Sequence, residues 1–161
     1  MMTAVGEKVI FLDMDGVLNN SHTGFGGFTN EFTKANINWN EECLARLKKI
    51  VDATDAKIVI SSTWRLFFPI SWFKRAFHIY GWDNVPIVGV TGEDEMGSRE
   101  KEIQLWIATA PFSISSYISL DDYPVKNSRL IQTSIDAGLQ DVHVERAVAA
   151  LNGAPHGGQE T

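Results

Sequence analysis

Cysteine and long apolar runs are scarce in this sequence. Its 161 residues include a single cysteine, Cys43, so the chain cannot form an internal disulfide. This favours a reducing, cytoplasmic setting. No apolar run approaches the roughly 20 residues of a membrane-spanning helix, and residues 1–8 lack the basic and apolar regions of a secretory signal. We therefore expect a cytoplasmic protein with no membrane partner.

An excess of basic residues is missing as well. The chain has 14 Lys and Arg against 20 Asp and Glu, a formal net charge of −6. This argues against broad electrostatic binding to nucleic acid, although a local basic site is compatible with it. The length suits one domain, which we expect over residues 1–151. Residues 152–161 are polar and Gly-rich, and are expected to form a flexible C-terminal tail.

Short apolar runs alternate with helical patterns along the chain. Strands are predicted at residues 8–13, 57–61, 85–90, 116–120 and, as a short fifth strand, 129–132. Helices are predicted at 41–51, after the capping residue Asn40, at 69–80, after Ser98, and at 141–151. This alternation predicts an α/β fold, a three-layer Rossmann-like sandwich with a mainly parallel central sheet.

Polar side chains stand where three of the predicted strands end. They are Asp13, Ser61 and Asp121. In open α/β sheets, ligands bind in the crevice beyond the carboxyl ends of the strands. We therefore expect these side chains to converge on one rim.

Two acidic pairs carry the strongest chemical signal. Asp13 and Asp15 flank Met14 and are followed by Gly16, a pattern that in isolation more often marks a turn. Asp121 and Asp122 are adjacent, so their charges repel each other unless a cation lies beside them. Mg²⁺ prefers oxygen ligands and commonly binds one or two carboxylates together with a substrate phosphate. The alternative for the second pair is a solvated loop.

Hydroxyl and basic groups complete a possible phosphate site. Ser61 and Ser62 follow the second strand and could donate to a phosphoryl oxygen, although Ser-Ser-Thr is also ordinary turn chemistry. Arg99 and Lys101 lie at the start of a predicted helix, where a cation could neutralise a transferring phosphoryl group. The alternative is that they pair with neighbouring glutamates on the surface.

In combination, these features resemble the haloacid dehalogenase-like (HAD) phosphatase superfamily. The four matching motifs are residues 9–18, residues 58–61, Arg99 or Lys101, and residues 118–122. Residues 60–65 and 102–106 are further similar to the compact HAD domains of RNA-repair proteins. The resemblance implies a HAD-like fold with a minimal cap and an Mg²⁺-dependent phosphatase.

The resemblance also implies roles for individual residues. Asp13 would be the nucleophile that forms an aspartyl-phosphate, and Asp15 the general acid and base. Mg²⁺ would be held by Asp13, the backbone carbonyl of Asp15, and Asp121 or Asp122, with Asp121 preferred. Among the phosphate-binding candidates, Ser61 is preferred to Ser62 and Arg99 to Lys101.

The substrate and its access are less strongly indicated. Residues 19–40, which include Gly24, Gly26 and Gly27, are too few for a separate cap domain and are expected to form a short flap over an open site. A phosphorylated substrate is expected, either a small nucleotide or a nucleic-acid end. Trp64 and Arg65 are candidate contacts, with Trp64 stacking on a base, whereas core packing is the alternative for the aromatic residues here.

Two other classes of function remain open on the sequence alone. A phospho-acceptor signalling module also combines Asp, Mg²⁺, a hydroxyl group and a cation on an α/β sheet. Its acceptor Asp, however, follows a later strand, whereas Asp13 follows the first one. A non-catalytic binding module could keep the same fold. The sequence predicts no particular oligomeric state.

Overall fold

A five-stranded parallel sheet forms the centre of the computed structural model, which describes residues 6–25, 31–94, 96–125 and 129–153. The strands are β1 (Glu7–Leu12), β2 (Lys57–Ile60), β3 (Ile87–Val90), β4 (Ile114–Asp121) and β5 (Leu130–Gln132). Their order is β3-β2-β1-β4-β5, and each neighbouring pair is parallel. This confirms the predicted α/β class.

Helices connect the strands, and most begin where the sequence predicts. They are α1 (Lys34–Ile37), α2 (Glu41–Thr54), α3 (Ile70–Ile79), α4 (Arg99–Ala108) and α5 (Asp141–Asn152), with a 3-10 turn at Thr63–Leu66. The side chain of Asn40 accepts from the backbone amide of Cys43, and that of Ser98 from Lys101, so both predicted caps are confirmed. The short α1 was not predicted.

The sheet is buried on both faces, which gives three layers. Successive side chains of a strand point to opposite faces. Ile10 and Leu12 of β1 therefore pack into a large cluster with residues of α2, α3 and α5. Val9 and Phe11 pack on the other face against Ile103 of α4. The near-continuous apolar sequence of β1 is thus explained by its place in the middle of the sheet.

The strand order reverses beside β1, and this reversal positions the site. The chain runs outward from β1 through β2 to β3, then crosses to β4 on the other side of β1. Leu12 pairs in register with Ile60 of β2 and with Leu120 of β4. The residues that follow these three therefore lie side by side at the carboxyl edge of the sheet, at a topological switch point.

The described parts of segment 19–40 are attached to the core. The backbone amide of Trp39 donates to the Tyr80 hydroxyl at 2.9 Å, and Asn20 Nδ2 donates to the Ala137 carbonyl at 3.1 Å. Gly26 and Gly27 of the predicted flap lie outside the described residues, as do positions 154–161 of the predicted tail. A flap over the site therefore stays a prediction. Over the described ranges, none of the helices has the length and apolarity required to cross a bilayer.

Gly138 supports the loop after β1 and gives a test of the packing there. Its φ is +71°, and an added Cβ would lie 2.9 Å from Cys43 Sγ and 3.0 Å from the Val17 carbonyl oxygen. Gly97 has the same φ of +71°, but a Cβ there would meet nothing within 4 Å. The pair therefore separates backbone strain from steric conflict.

We expect Gly138→Ala to lower the free energy of unfolding more than Gly97→Ala, measured by urea denaturation. Gly97→Ala should cost only the left-handed backbone penalty of about 1–2 kcal/mol, whereas Gly138→Ala adds the displacement of packed atoms. Equal losses in the two variants would contradict the tight packing of Gly138 against α2 and the loop after β1.

Candidate active site

Three carboxylates meet at the switch point. Asp13 follows β1, Asp121 ends β4, and Asp122 comes next; one oxygen from each lies within 4.8 Å of the others. Asp13 and Asp121 are buried. Burial, followed by the nearby charge of Asp121, raises the pKa of Asp13 well above its usual range, whereas Arg99 acts in the opposite direction. Burial and Asp121 also raise the pKa of Asp122.

Among the described residues, Arg99 is the cation that forms ion pairs with this cluster. Its Nη1 lies 2.5 Å from Asp121 Oδ2 and 3.6 Å from Asp13 Oδ2. Arg99 is the first residue of α4, so the crossover from β3 to β4 delivers it to the carboxyl edge of the sheet. Lys101 is exposed, and within the described part of the chain no ion pair involves it. The two sequence candidates therefore occupy different positions: Arg99 forms ion pairs with the cluster, whereas the exposed Lys101 lines the cavity above it.

The carboxylate cluster fits a hard divalent cation. Three acidic groups face one arginine, and all of the donor atoms are carboxylate oxygens, the ligands that Mg²⁺ prefers. The carboxylate of Asp15 is not a member of this group among the described residues. Of the sequence-predicted metal residues, the structure thus brings together Asp13, Asp121 and Asp122.

Asp15 has separate partners. Its Oδ1 accepts from Asn19 Nδ2 at 2.8 Å, and its Oδ2 accepts from Trp64 Nε1 at 3.3 Å. The sequence-based reasoning missed Asn19; the only available signal was its position four residues after Asp15, which does not show that it is buried. Gly16 has φ +80°, and a Cβ there would lie 2.6 Å from Asp122 Cγ, so the turn after Asp15 depends on glycine.

Ser61 and Ser62 follow β2, next to the end of β1. Thr63, the next residue, was not predicted as part of the site. Ser61 is buried, and its backbone amide donates to the Leu12 carbonyl at 2.9 Å. The Ser62 hydroxyl accepts from the Trp64 amide at 3.1 Å and so caps the 3-10 turn. Thr63, which is exposed, lines the cavity over the carboxylates. A phosphate contact by Ser61 or Ser62 stays a prediction, and Ser62 also caps the turn.

Trp64 and Arg65 do not face the substrate space. Trp64 is 0% exposed and packs against Trp39 and Trp72, so the expected stacking of Trp64 on a base is wrong. The Arg65 side chain is 4% exposed and pairs with buried Glu102 at 3.1 Å. Arg65 also donates to the backbone carbonyls that follow β2 and β3. Its guanidinium therefore joins these loops to α4. The prediction that Arg65 contacts the substrate is also wrong.

A cavity of about 800 Å³ opens above the carboxylates. Its lining residues are Asp13, Asp15, Thr63, Gly97, Ser98, Arg99, Glu100, Lys101, Asp122, Tyr123, Pro124 and Val125. Tyr123 is 68% exposed and was not predicted as a contact, because in the sequence it only follows an acidic pair. None of the described residues of segment 19–40 belongs to the lining.

Comparison with known proteins gives one informative match. A family model described as the HAD domain in Swiss Army Knife RNA repair proteins matches residues 9–144, which contain every site residue named above. Neither the curated proteins nor the solved structures gave a match.

The raised pKa values of Asp13 and Asp122 predict a pH-dependent stability with a definite sign. An aspartate whose pKa is higher in the folded protein than in the unfolded chain holds its proton longer in the folded state. Stability therefore falls as the pH rises from the unfolded pKa through the folded pKa. Without divalent metal, we expect Asp122→Asn to raise the melting temperature at about pH 8, and to raise it less at about pH 5, where the cluster is more protonated.

Added Mg²⁺ should reverse the order of the melting temperatures, so that the wild type becomes more stable than Asp122→Asn. A ligand that binds the folded state stabilises it by mass action, so the melting temperature should rise in the wild type and rise less in Asp122→Asn. Asp52→Asn, at an exposed aspartate on α2, is the control and should show neither effect. Without divalent metal, a lower melting temperature for Asp122→Asn than for the wild type at both pH values would contradict repulsion within the cluster.

Proposed function

Because the chain belongs to the family of HAD domains found in Swiss Army Knife RNA repair proteins, we propose that it is an Mg²⁺-dependent phosphomonoesterase that forms an aspartyl-phosphate on Asp13. The observation that carries this proposal is the meeting of Asp13, Asp121, Asp122 and Arg99 at the switch point of the sheet, with Asp15 on the same cavity.

Two carboxylates divide the covalent chemistry. A carboxylate oxygen of Asp13 attacks phosphorus, and the bond from phosphorus to the leaving oxygen breaks as Asp15 delivers its proton to that oxygen. Asp15 then takes a proton from water, whose oxygen attacks phosphorus and releases Asp13 and inorganic phosphate. Asp15 therefore donates one proton to the leaving oxygen in the first step and regains one from water in the second.

The attack requires Asp13 to be ionised, although burial and Asp121 raise its pKa. Arg99 opposes this effect, because its Nη1 lies 3.6 Å from Asp13 Oδ2. Asp13, Asp121, Asp122 and the backbone carbonyl of Asp15 would hold Mg²⁺, which would supply positive charge for the nucleophile and the phosphoryl oxygens. Arg99 is thus the proposed catalytic cation, held in place by Asp121.

The position of the acids favours a phosphatase over a phospho-acceptor module. Asp13 lies at the end of β1 in the middle of the sheet, and Asp15 lines the same cavity. An acid/base residue beside the nucleophile is needed to hydrolyse a phospho-enzyme, whereas a stable acceptor has no use for one. The presence of both groups likewise argues against a purely non-catalytic binding role.

Hydrolysis of an aryl phosphate tests the proposal. We expect the wild type to be active with Mg²⁺ and inactive with EDTA. Asp13→Asn should form no labelled phospho-enzyme, since the nucleophilic carboxylate is gone. Asp15→Asn should lower kcat/KM for phenyl phosphate, whose leaving group needs a proton, by about 10²–10⁴-fold, the usual contribution of general acid–base catalysis, and should slow turnover of the phospho-enzyme. Activity that survives both EDTA and Asp13→Asn would overturn the mechanism.

The residues of the cavity wall support a nucleotide or a nucleic-acid end as the substrate. Tyr123 is the proposed residue for the base stacking that was expected of Trp64. The backbone amide of Tyr123 donates to Asp121 Oδ1 at 3.0 Å, so the turn carrying the ring is fixed to the carboxylate cluster. Lys101 lines the same cavity. An aromatic face together with a cation is the combination that binds single-stranded nucleic-acid ends.

Tyr123→Ala tests this substrate class. Stacking of a base is worth about 1–3 kcal/mol, so kcat/KM for a 5′- or 3′-phosphorylated oligonucleotide should fall roughly tenfold. The loss should be smaller for the same oligonucleotide with an abasic terminal residue. Phe67→Ala, at an aromatic residue that is 66% exposed and outside the described cavity lining, is the matched control. A preference of the wild type for sugar phosphates would count against nucleic acid.

A further inference from the structure

The carboxylate of Asp15 is held between two uncharged donors, one on each oxygen. Asn19 Nδ2 donates to Oδ1 at 2.8 Å, and Trp64 Nε1 donates to Oδ2 at 3.3 Å. The carboxylate cluster has a charged partner instead, since Arg99 forms ion pairs with Asp13 and Asp121. The two acids of the first motif are therefore held by different kinds of partner.

Asn19 has a defined amide orientation. It is 0% exposed, and its Oδ1 accepts from the Gly16 amide at 2.9 Å. A backbone N–H can only donate, so the amide oxygen must face Gly16 and the NH₂ group must face Asp15. The turn that carries Asp15 thus also fixes the group that holds its side chain.

Trp64 is fixed by packing. Its ring contacts Trp39, Phe68 and Trp72 at centroid distances of 6.4, 6.5 and 5.9 Å, respectively, and it is 0% exposed. Its backbone amide donates to the Ser62 hydroxyl. An indole N–H has no acceptor lone pair, so Trp64 can meet Asp15 only as a donor.

We propose that Trp64 and Asn19 are positioning residues that direct the proton of Asp15 toward the leaving group. Both partners are donors, so a proton on Asp15 can occupy only the lone pairs that neither of them uses. Asp15 lines the cavity, and the remaining lone pairs are those available to the substrate. This inference rests on the proposed phosphatase function and assigns Trp64 a role in proton delivery instead of base recognition.

The consequence is a dependence on the leaving group. A nitrophenolate leaves with little help from an acid, whereas phenolate and alkoxide need the proton. The value of kcat/KM covers the steps up to departure of the leaving group. A misplaced Asp15 should therefore reduce kcat/KM more for poor leaving groups, whereas a general structural defect should reduce it equally for all.

Trp64→Phe removes the N–H and keeps an aromatic ring. We expect kcat/KM to fall about tenfold for phenyl and alkyl phosphates and no more than about threefold for p-nitrophenyl phosphate. The tenfold loss is only part of the full contribution of a general acid, because Asp15 itself is still present. The ratio between substrates within one preparation is independent of the folded fraction. It therefore stays informative if the variant is destabilised by the smaller ring.

Trp72→Phe is the matched control. Trp72 belongs to the same aromatic cluster and is 7% exposed, but its Nε1 has no hydrogen-bond partner among the described residues. This variant should keep the wild-type ratio. Asn19→Asp is the second test, because it keeps an oxygen for the Gly16 amide and replaces the donor to Asp15 with an acceptor. It should change the ratio in the same direction as Trp64→Phe.

The outcomes separate the inference from the function on which it rests. Equal losses on all esters in Trp64→Phe, or the same change of ratio in Trp72→Phe, would overturn the positioning role while leaving the phosphatase intact. A wild type that hydrolyses none of these esters with Mg²⁺ would overturn the phosphatase and, with it, this inference.

Discussion

The repulsion among Asp13, Asp121 and Asp122 is the constraint on which the site depends. Their oxygens lie within 4.8 Å of one another, and the ion pairs from Arg99 compensate only part of the charge. Like charges in a poorly solvated place raise pKa values or recruit a cation. The parallel pairing of β1 with β4 imposes the closeness, so the stability of the sheet is what keeps these carboxylates together.

The position of Arg99 depends in turn on a buried network behind the cavity. Glu102, three residues further along α4, pairs with Arg65 at 3.1 Å and accepts from the Asp94 amide at 3.0 Å. Arg65 also donates to the Thr91 carbonyl at 2.8 Å. The loops after β2 and β3 are thereby tied to the first turn of α4. Every N–H group of this buried guanidinium has an acceptor. Removal of either Arg65 or Glu102 would be strongly destabilising, because it would leave the other buried charge unpaired.

Features set by local sequence were predictable, and features set by packing between distant segments were not. The caps Asn40 and Ser98 and the strand-end residues Asp13 and Asp121 follow from local chemistry and from the alternation of strands and helices. The burial of Trp64 was not visible, because its neighbours Trp39 and Trp72 come from other segments. Likewise, an aromatic residue after a strand has the same local pattern whether it packs inward, as Trp64 does, or lines the cavity, as Tyr123 does.

The charges that line the cavity set a condition on the proposed binding of a phosphate ester. The described lining carries four carboxylates, Asp13, Asp15, Glu100 and Asp122, against two cations, Arg99 and Lys101. When all of these groups are ionised, the excess of two negative charges repels a phosphate until a divalent cation balances it. Arg99 is already engaged by Asp121, which leaves Lys101 as the other cation of the described lining. With a net charge of −6, the protein has little with which to attract a long polyanion. If the proposed function holds for a nucleic-acid end, these charges favour recognition confined to the terminal phosphate and its first base.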